Sequence, residues 1–160
     1  MTVRIRRMTN QEYEVFHRWS IRNQAEELAE EMKMPEDRAM AEAEKEIGEM
    51  LPQGRNTENS HLMTVMADDE NVGFIWFLYE ETDGKRQCFL CDLAIWEKYR
   101  QKGFGQIAVH LMEEKAGKDG LQECVLFVRN DNQEAVRLYE KCGYELLRTH
   151  GYGKYVFKAL

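Results

Sequence analysis

Long apolar runs are missing from this chain. No stretch has the length needed to cross a bilayer, and the start, Met1-Thr2-Val3-Arg4-Ile5-Arg6, has no apolar signal region. A cytoplasmic protein without a membrane partner is expected. Basic excess is missing too: 22 Lys and Arg stand against 29 Asp and Glu, for a net charge of −7. That argues against a nucleic-acid surface, which needs a basic patch, and suits cationic partners. The four cysteines, Cys88, Cys91, Cys124 and Cys142, fall in or beside segments read as buried, so reduced thiols are expected. Cys88 and Cys91 spell C-x-x-C, but strand residues three apart face opposite ways and no second pair completes a zinc site, so no metal is expected. Repeats, low-complexity tracts and linkers are likewise missing, which leaves one domain over residues 1–160.

What is present is enough apolar residue, 43% of the chain, to bury a core without disulfides or metal. Alternation in residues 3–8 predicts a first strand. Thr9 or Asn10 can cap a long or broken helix carrying Tyr13, Phe16, Ala25, Leu28, Ala29 and Met32. Pro35, Glu36 and Asp37 open a second helix, which Pro52-Gln53-Gly54 stops. Between residues 26 and 49 acids outnumber bases ten to three, either a solvated helix face or a mouth whose field draws in a cationic amine.

Residues 61–67 and 71–80 read as two strands around the turn Asp68-Asp69-Glu70-Asn71. Residues 86–96 form a fourth strand, apolar enough for a central position. After Gly105, Ile107, Ala108, Leu111, Met112 and Ala116 define one apolar helix face. Residues 121–128 then make a fifth strand, parallel to the fourth because a right-handed crossover joins them. Asn130-Asp131-Asn132 begins a last helix bearing Ala135, Leu138, Tyr139 and Cys142, with Gly143 as its stop, and strands at 144–149 and 152–158 finish the chain.

The stretch that organises the rest is Tyr99-Arg100-Gln101-Lys102-Gly103-Phe104-Gly105, a basic twin-glycine turn between strand and helix. A helix start presents several N–H groups without intrahelical partners, and the macrodipole adds partial positive charge. Arg100 and Lys102 add full charges, so the turn suits a diphosphate. It lacks both the nucleotide P-loop pattern and the three-glycine dinucleotide spacing, which disfavours ATP and NAD.

Leu93-Ala94-Ile95, then Arg100-x-x-Gly103-x-Gly105, then Asn132-x-x-Ala135-x-x-Leu138-Tyr139-Glu140-Lys141-x-Gly143-Tyr144 resembles the GCN5-related N-acetyltransferase superfamily in order and spacing. The likeness is dense from residue 89 to 144. Gln101 departs from it, since glycine often follows the arginine there. The resemblance implies an α/β (α+β) fold in the order strand, helix, helix, three strands, helix, strand, helix, two strands. Its mixed sheet of about seven strands is splayed between the fourth and fifth, with about four flanking helices.

The resemblance further implies acetyl-CoA as cofactor. Its pantetheine pairs with the backbone of Leu93, Ala94 and Ile95. Its diphosphate lies on Arg100, Gln101, Lys102, Gly103, Phe104, Gly105 and Gln106, and Asn132 and Tyr139 reach its arm. For catalysis it implies the Leu93 N–H as oxyanion donor and Tyr139 as the acid that protonates the departing thiolate, a sensible role for a phenol. The competing roles are a helix cap for Asn132 and a core position for Tyr139. Asp92, an ionisable group within an apolar strand, is the first choice of base, with Glu80 and Glu81 in reserve. Neighbouring strand residues face oppositely, so a bulge is needed to bring Asp92 and the Leu93 backbone to one cleft. Trp19, Tyr152 and Tyr155 either line the acceptor site or simply pack.

The reading is an N-acetyltransferase acting on a primary amine, a small cationic amine or one on a protein or peptide, by direct attack in a ternary complex. The alternative is a catalytically idle acyl-CoA-binding sensor. A Cys91 nucleophile is a distant third. A homodimer is implied by family habit alone.

Overall fold

The computed structural model describes residues 1–160. The elements run β1 (Val3–Arg7), α1 (Asn10–Glu31), α2 (Glu36–Met50), β2 (Ser60–Ala67), β3 (Glu70–Thr82), β4 (Lys85–Ile95), α3 (Phe104–Lys118), β5 (Glu123–Arg129), α4 (Gln133–Lys141), β6 (Glu145–His150) and β7 (Gly153–Ala159), with 3-10 turns at Gly54–Asn56 and Glu97–Tyr99. Residue contacts divide the chain into two compact units, Met8–Ser60 and the remainder.

In the smaller unit, Thr9 caps α1 reciprocally: its hydroxyl accepts from the Glu12 N–H at 3.1 Å, and Glu12 accepts from the Thr9 N–H at 2.8 Å. No break follows, and α1 is one helix of 22 residues. Pro35 precedes α2, where its fixed φ suits a helix entry. The two helices meet along a seam of small residues, Ala25, Ala39 and Ala43, flanked by Ile21, Leu28 and Met40. Gln24 Nε2 ties across to Glu46 Oε2 at 2.7 Å.

The larger unit is a seven-stranded sheet in the order β1-β2-β3-β4-β5-β7-β6. Asp68 and Asp69 alone join β2 to β3, with Asp68 at φ 52°, so the turn is tighter than the sequence suggests. β4 and β5 pair in parallel, as the crossover through α3 requires, while β3 with β4 and β5 with β7 are antiparallel. The core lies between the sheet and the helices α3 and α4, around Val65, Ile75, Phe77, Leu90, Val109, Met112 and Leu126.

The buried stripe of α3 differs from the expected one. Ile107 is 38% exposed, whereas Phe104, Ala108, Val109, Met112, Glu113 and Ala116 are buried. Glu113 is accepted there because Lys158 Nζ at 2.9 Å and His110 Nδ1 at 3.2 Å meet its Oε1. The helix ends at Lys118, within the Gly117-Lys118-Asp119-Gly120 stretch that reads as its stop.

Gly153 opens β7 opposite Arg129, and a Cβ there would lie 2.3 Å from Phe127 Cζ and 2.6 Å from the Val128 carbonyl oxygen. Gly48, in α2, has nothing within 4 Å of the same position. In chemical denaturation Gly153→Ala is therefore expected to lose about 1–3 kcal/mol through overpacking. Gly48→Ala should gain up to about 1 kcal/mol from helix propensity.

Candidate active site

The site begins where a strand loses a neighbour. β4 and β5 are in register from Gln87 and Glu123 to Leu90 and Leu126, and no further. β4 continues to Ile95 and β5 to Arg129, so residues 91–95 keep β3 on one side and open a cleft on the other. This is the expected splay between the fourth and fifth strands.

A bulge sits at the start of the open segment. Trp76 pairs with Asp92 and Phe77 with Leu90, leaving Cys91 as an extra residue. Because register partners share a face, the bulge changes the alternation. Leu90 and Leu93 both lie on the core face with Phe77 and Ile75, while Phe89 and Asp92 both lie on the opposite face with Leu78 and Trp76. Asp92 thus stays out of the core, and its Oδ1 accepts a hydrogen bond from the Leu93 N–H at 3.0 Å. Carboxylate and proposed donor are side by side.

Glu80 and Glu81 lie farther down the sheet, with the charge of Glu80 still reaching the bulge residue Cys91. They stand opposite Gln87 and Arg86, and Gln87 Nε2 donates to Glu80 in the half of β4 that β5 still covers. Cys91 is half-buried with its Sγ 3.8 Å from the Phe89 carbonyl oxygen. Burial first, then the Asp92 and Glu80 carboxylates, push its thiol well above the ordinary range, the opposite of an activated nucleophile.

The loop after β4 has the geometry of an anion site. Gln101 takes φ 62° and Gly103 φ 83°, and Gly103 begins α3 without a side-chain cap. The first-turn amides of α3 therefore have no side-chain partner from the cap position. Gln101 occupies the left-handed region that favours glycine, which gives the departure from family wording a physical meaning. Arg100 turns back, its Nε donating to the Ile95 carbonyl at 3.0 Å, and Lys102 is exposed. Phe104 is buried in the core, so only its backbone faces this role, and Gln106 is half-buried. A Cβ on Gly105 would make ordinary contacts, 3.6 Å to Leu138 Cδ2 and 3.9 Å to Ile95 Cγ1. The protein's own packing does not require glycine there. A cavity of about 320 Å³ lies against the loop residues Tyr99, Lys102 and Phe104, and its other wall carries Asp68, Asp69 and Glu70, three carboxylates to one lysine, which disfavours phosphate there.

α4 supplies the opposite wall. Asn132 caps it, its Oδ1 accepting from the Ala135 N–H at 3.2 Å, so its NH₂ is what it can offer a ligand amide. Tyr139 is half-buried and meets Tyr144 edge-on at 5.8 Å. Burial, then the Asp92 carboxylate and Cys142, hold its phenol above the ordinary tyrosine range. Of the aromatics suggested for the acceptor, Tyr155 lies under the Arg148 guanidinium at 4.2 Å and beside Phe127 at 5.1 Å, and Tyr152 meets Phe127 edge-on at 5.8 Å. Sequence reasoning missed Gly73, Asn71 and Trp96, which brace β4 from the β3 side. Only Asn71 beside a turn signal offered a cue.

Residues 17–144 match the Acetyltransferase (GNAT) family. Two Bacillus subtilis (strain 168) proteins named as uncharacterized N-acetyltransferases are similar over nearly their whole length. YdgE is 29% identical over 140 residues, covering 87% of this chain and 89% of that one. YycN is 27% identical over 147 residues, covering 91% and 94%. Among solved structures, YycN superposes with a TM-score of 0.86 at 24% identity, over 93% of this chain and 96% of that one. PaiA N-acetyltransferase from Thermoplasma acidophilum, in complex with coenzyme A, gives 0.70 at 18% identity over 100% of both chains. Spermidine N-acetyltransferase from Vibrio cholerae, with CoA and spermine, gives 0.68 at 18% identity over 98% and 95%. At these identities the solved structures establish a shared fold.

Gly105→Ala is expected to melt no lower than the unaltered protein, since alanine favours the helix, yet to lose about tenfold in CoA affinity because the methyl occupies the ligand's approach. Thermal melting with and without CoA measures both.

Proposed function

Because the chain belongs to the acetyltransferase (GNAT) family, we propose that residues 1–160 act as one acetyl-CoA-dependent N-acetyltransferase domain that acylates a primary amine. The observation that carries this reading is the open edge of β4 beyond Leu90, with the Cys91 bulge, leading directly into an uncapped helix start. One feature suits an extended amide-bearing arm and the other a diphosphate.

Bound acetyl-CoA supplies an electrophilic thioester carbon and a thiol leaving group. The Leu93 N–H donates to the carbonyl oxygen as negative charge builds there. The Asp92 carboxylate, which accepts that N–H in the free protein, has to swing away first, since two anions cannot share one donor. Asp92 then receives a proton from the amine, directly or through water. The amine nitrogen forms its bond to carbon as the carbon–sulfur bond breaks, and Tyr139 donates its proton to the sulfur. The raised phenol keeps that proton across the range where amines begin to be neutral. Cys91, its thiol pushed up by burial, is not used, which favours direct transfer in a ternary complex.

The acceptor is a small cationic amine or an amine on a protein or peptide. Ten acids against three bases between residues 26 and 49 favour a cation, and a neighbour of the same fold is solved with spermine. Leu146 and Leu147, 59% and 46% exposed on the edge strand β6, are where two copies would pair. Sedimentation showing a monomer at all concentrations would remove the homodimer.

The deciding experiment follows CoA thiol release from acetyl-CoA across polyamines, aminoglycosides, amino acids and short peptides. Turnover with one class is expected. Tyr139→Phe should lower kcat about 10²-fold or more while CoA affinity is unchanged. With the unaltered enzyme, no alkaline loss of kcat from this phenol should appear below about pH 10, because the shift is upward. CoA binding without turnover on any amine would favour the idle sensor, and no thermal shift with CoA would remove the cofactor reading.

A further inference from the structure

The open half of β4 has only β3 to hold it, so whatever sets the β3–β4 spacing there also sets the edge offered to the cofactor. Gly73 faces Ile95 in register, one residue beyond the pair of Phe74 with Ala94. A Cβ on Gly73 would lie 2.1 Å from the Ala94 carbonyl oxygen and 2.9 Å from Ile95 Cα, distances at which the backbone itself must move. Its N–H donates to Asn71 Oδ1 at 3.1 Å. The same oxygen accepts from Trp96 Nε1 at 3.1 Å, and the Trp96 backbone N–H donates to the Val72 carbonyl at 2.9 Å. The Trp96 ring packs on Phe74, 5.7 Å between centroids. Asn71, Val72 and Phe74 of β3 are thus held to Trp96, the residue that leaves β4 for the loop, and Gly73 is tied to the same Asn71 oxygen.

We infer that Asn71, Gly73 and Trp96 form a positioning clamp that sets the Leu93-Ala94-Ile95 backbone at the spacing from the loop that one CoA molecule requires. None of the three touches the reacting atoms. Gly73 lets the two backbones approach, Asn71 joins the approach to the exit residue, and Trp96 fixes the point at which the chain leaves β4, before the turn at Glu97–Tyr99. The loop amides belong to the start of α3, which packs on β1 and α4 as well as on β3 and β4, so the loop has supports that the β4 edge lacks. A variant of the clamp therefore displaces the edge and leaves the loop in place. The inference rests on the cofactor reading above.

The test is calorimetric binding of two probes to the unaltered protein, to Gly73→Ala and to Trp96→Phe. The probes are CoA and adenosine 3′-phosphate 5′-diphosphate, which is CoA without its pantetheine arm. Gly73→Ala is expected to weaken CoA about tenfold or more, because a misplacement of this kind is costly where geometry is exacting, and to change the nucleotide by less than about twofold. Trp96→Phe keeps an aromatic ring against Phe74 but removes the Nε1 donor, and should show the same selective loss at about threefold. Should Gly73→Ala fail to fold, Trp96→Phe decides. Equal weakening of both probes in Trp96→Phe, or unchanged CoA affinity in both variants, overturns the clamp. An unaltered protein that binds neither probe overturns the cofactor reading instead.

Discussion

Everything at the site follows from β4 outlasting its neighbour. Backbone N–H and C=O groups withdrawn from water need partners, and a central strand ordinarily finds them on both sides. Beyond Leu90 and Leu126 the two parallel strands part, and the upper half of β4 keeps one ladder and shows one bare edge. That edge is a template for an extended amide-bearing molecule, for the same reason that an exposed sheet edge invites a further strand. The Leu93 N–H already takes a carboxylate, Oδ1 of Asp92, in the free protein.

Electrostatics at the cleft run against the character of the chain. The protein carries a net charge of −7, yet the loop after β4 gathers Arg100, Lys102 and the uncapped amides of α3. Local fields decide binding here because the helix start is a fixed positive end within contact distance, whereas carboxylates elsewhere are screened beyond roughly 10 Å. Within the cleft, burial and the Asp92 carboxylate help keep the Tyr139 phenol protonated.

Much of this was legible from residue patterns. Thr9 or Asn10 read as the cap of the first helix and Thr9 is that cap, Asn130-Asp131-Asn132 read as a helix start and Asn132 caps it, and the parallel pairing of β4 with β5 followed from the crossover. Two kinds of feature were not legible. Side-chain partnership across elements was one: Glu113 is a polar residue on a buried stripe and is acceptable only because Lys158, 45 residues on, reaches it, while Ile107 on the expected apolar face is exposed. Register was the other. Alternation along β4 gives no notice that Cys91 is an inserted residue, because a bulge is defined by what stands opposite.

Residue order alone determined the element sequence and the position of a basic, twin-glycine turn between β4 and α3. These depend on local propensity, spacing and side-chain chemistry, all carried along the chain. Only the tertiary structure decided which face Asp92 takes, that Glu80 and Glu81 stand opposite Gln87 and Arg86, that Gln101 adopts a left-handed conformation, and that Gly73 is needed for backbone approach and not for its φ. Each of those is a relation between segments distant in sequence or a strain that packing imposes, and neither quantity exists until the strands are in register.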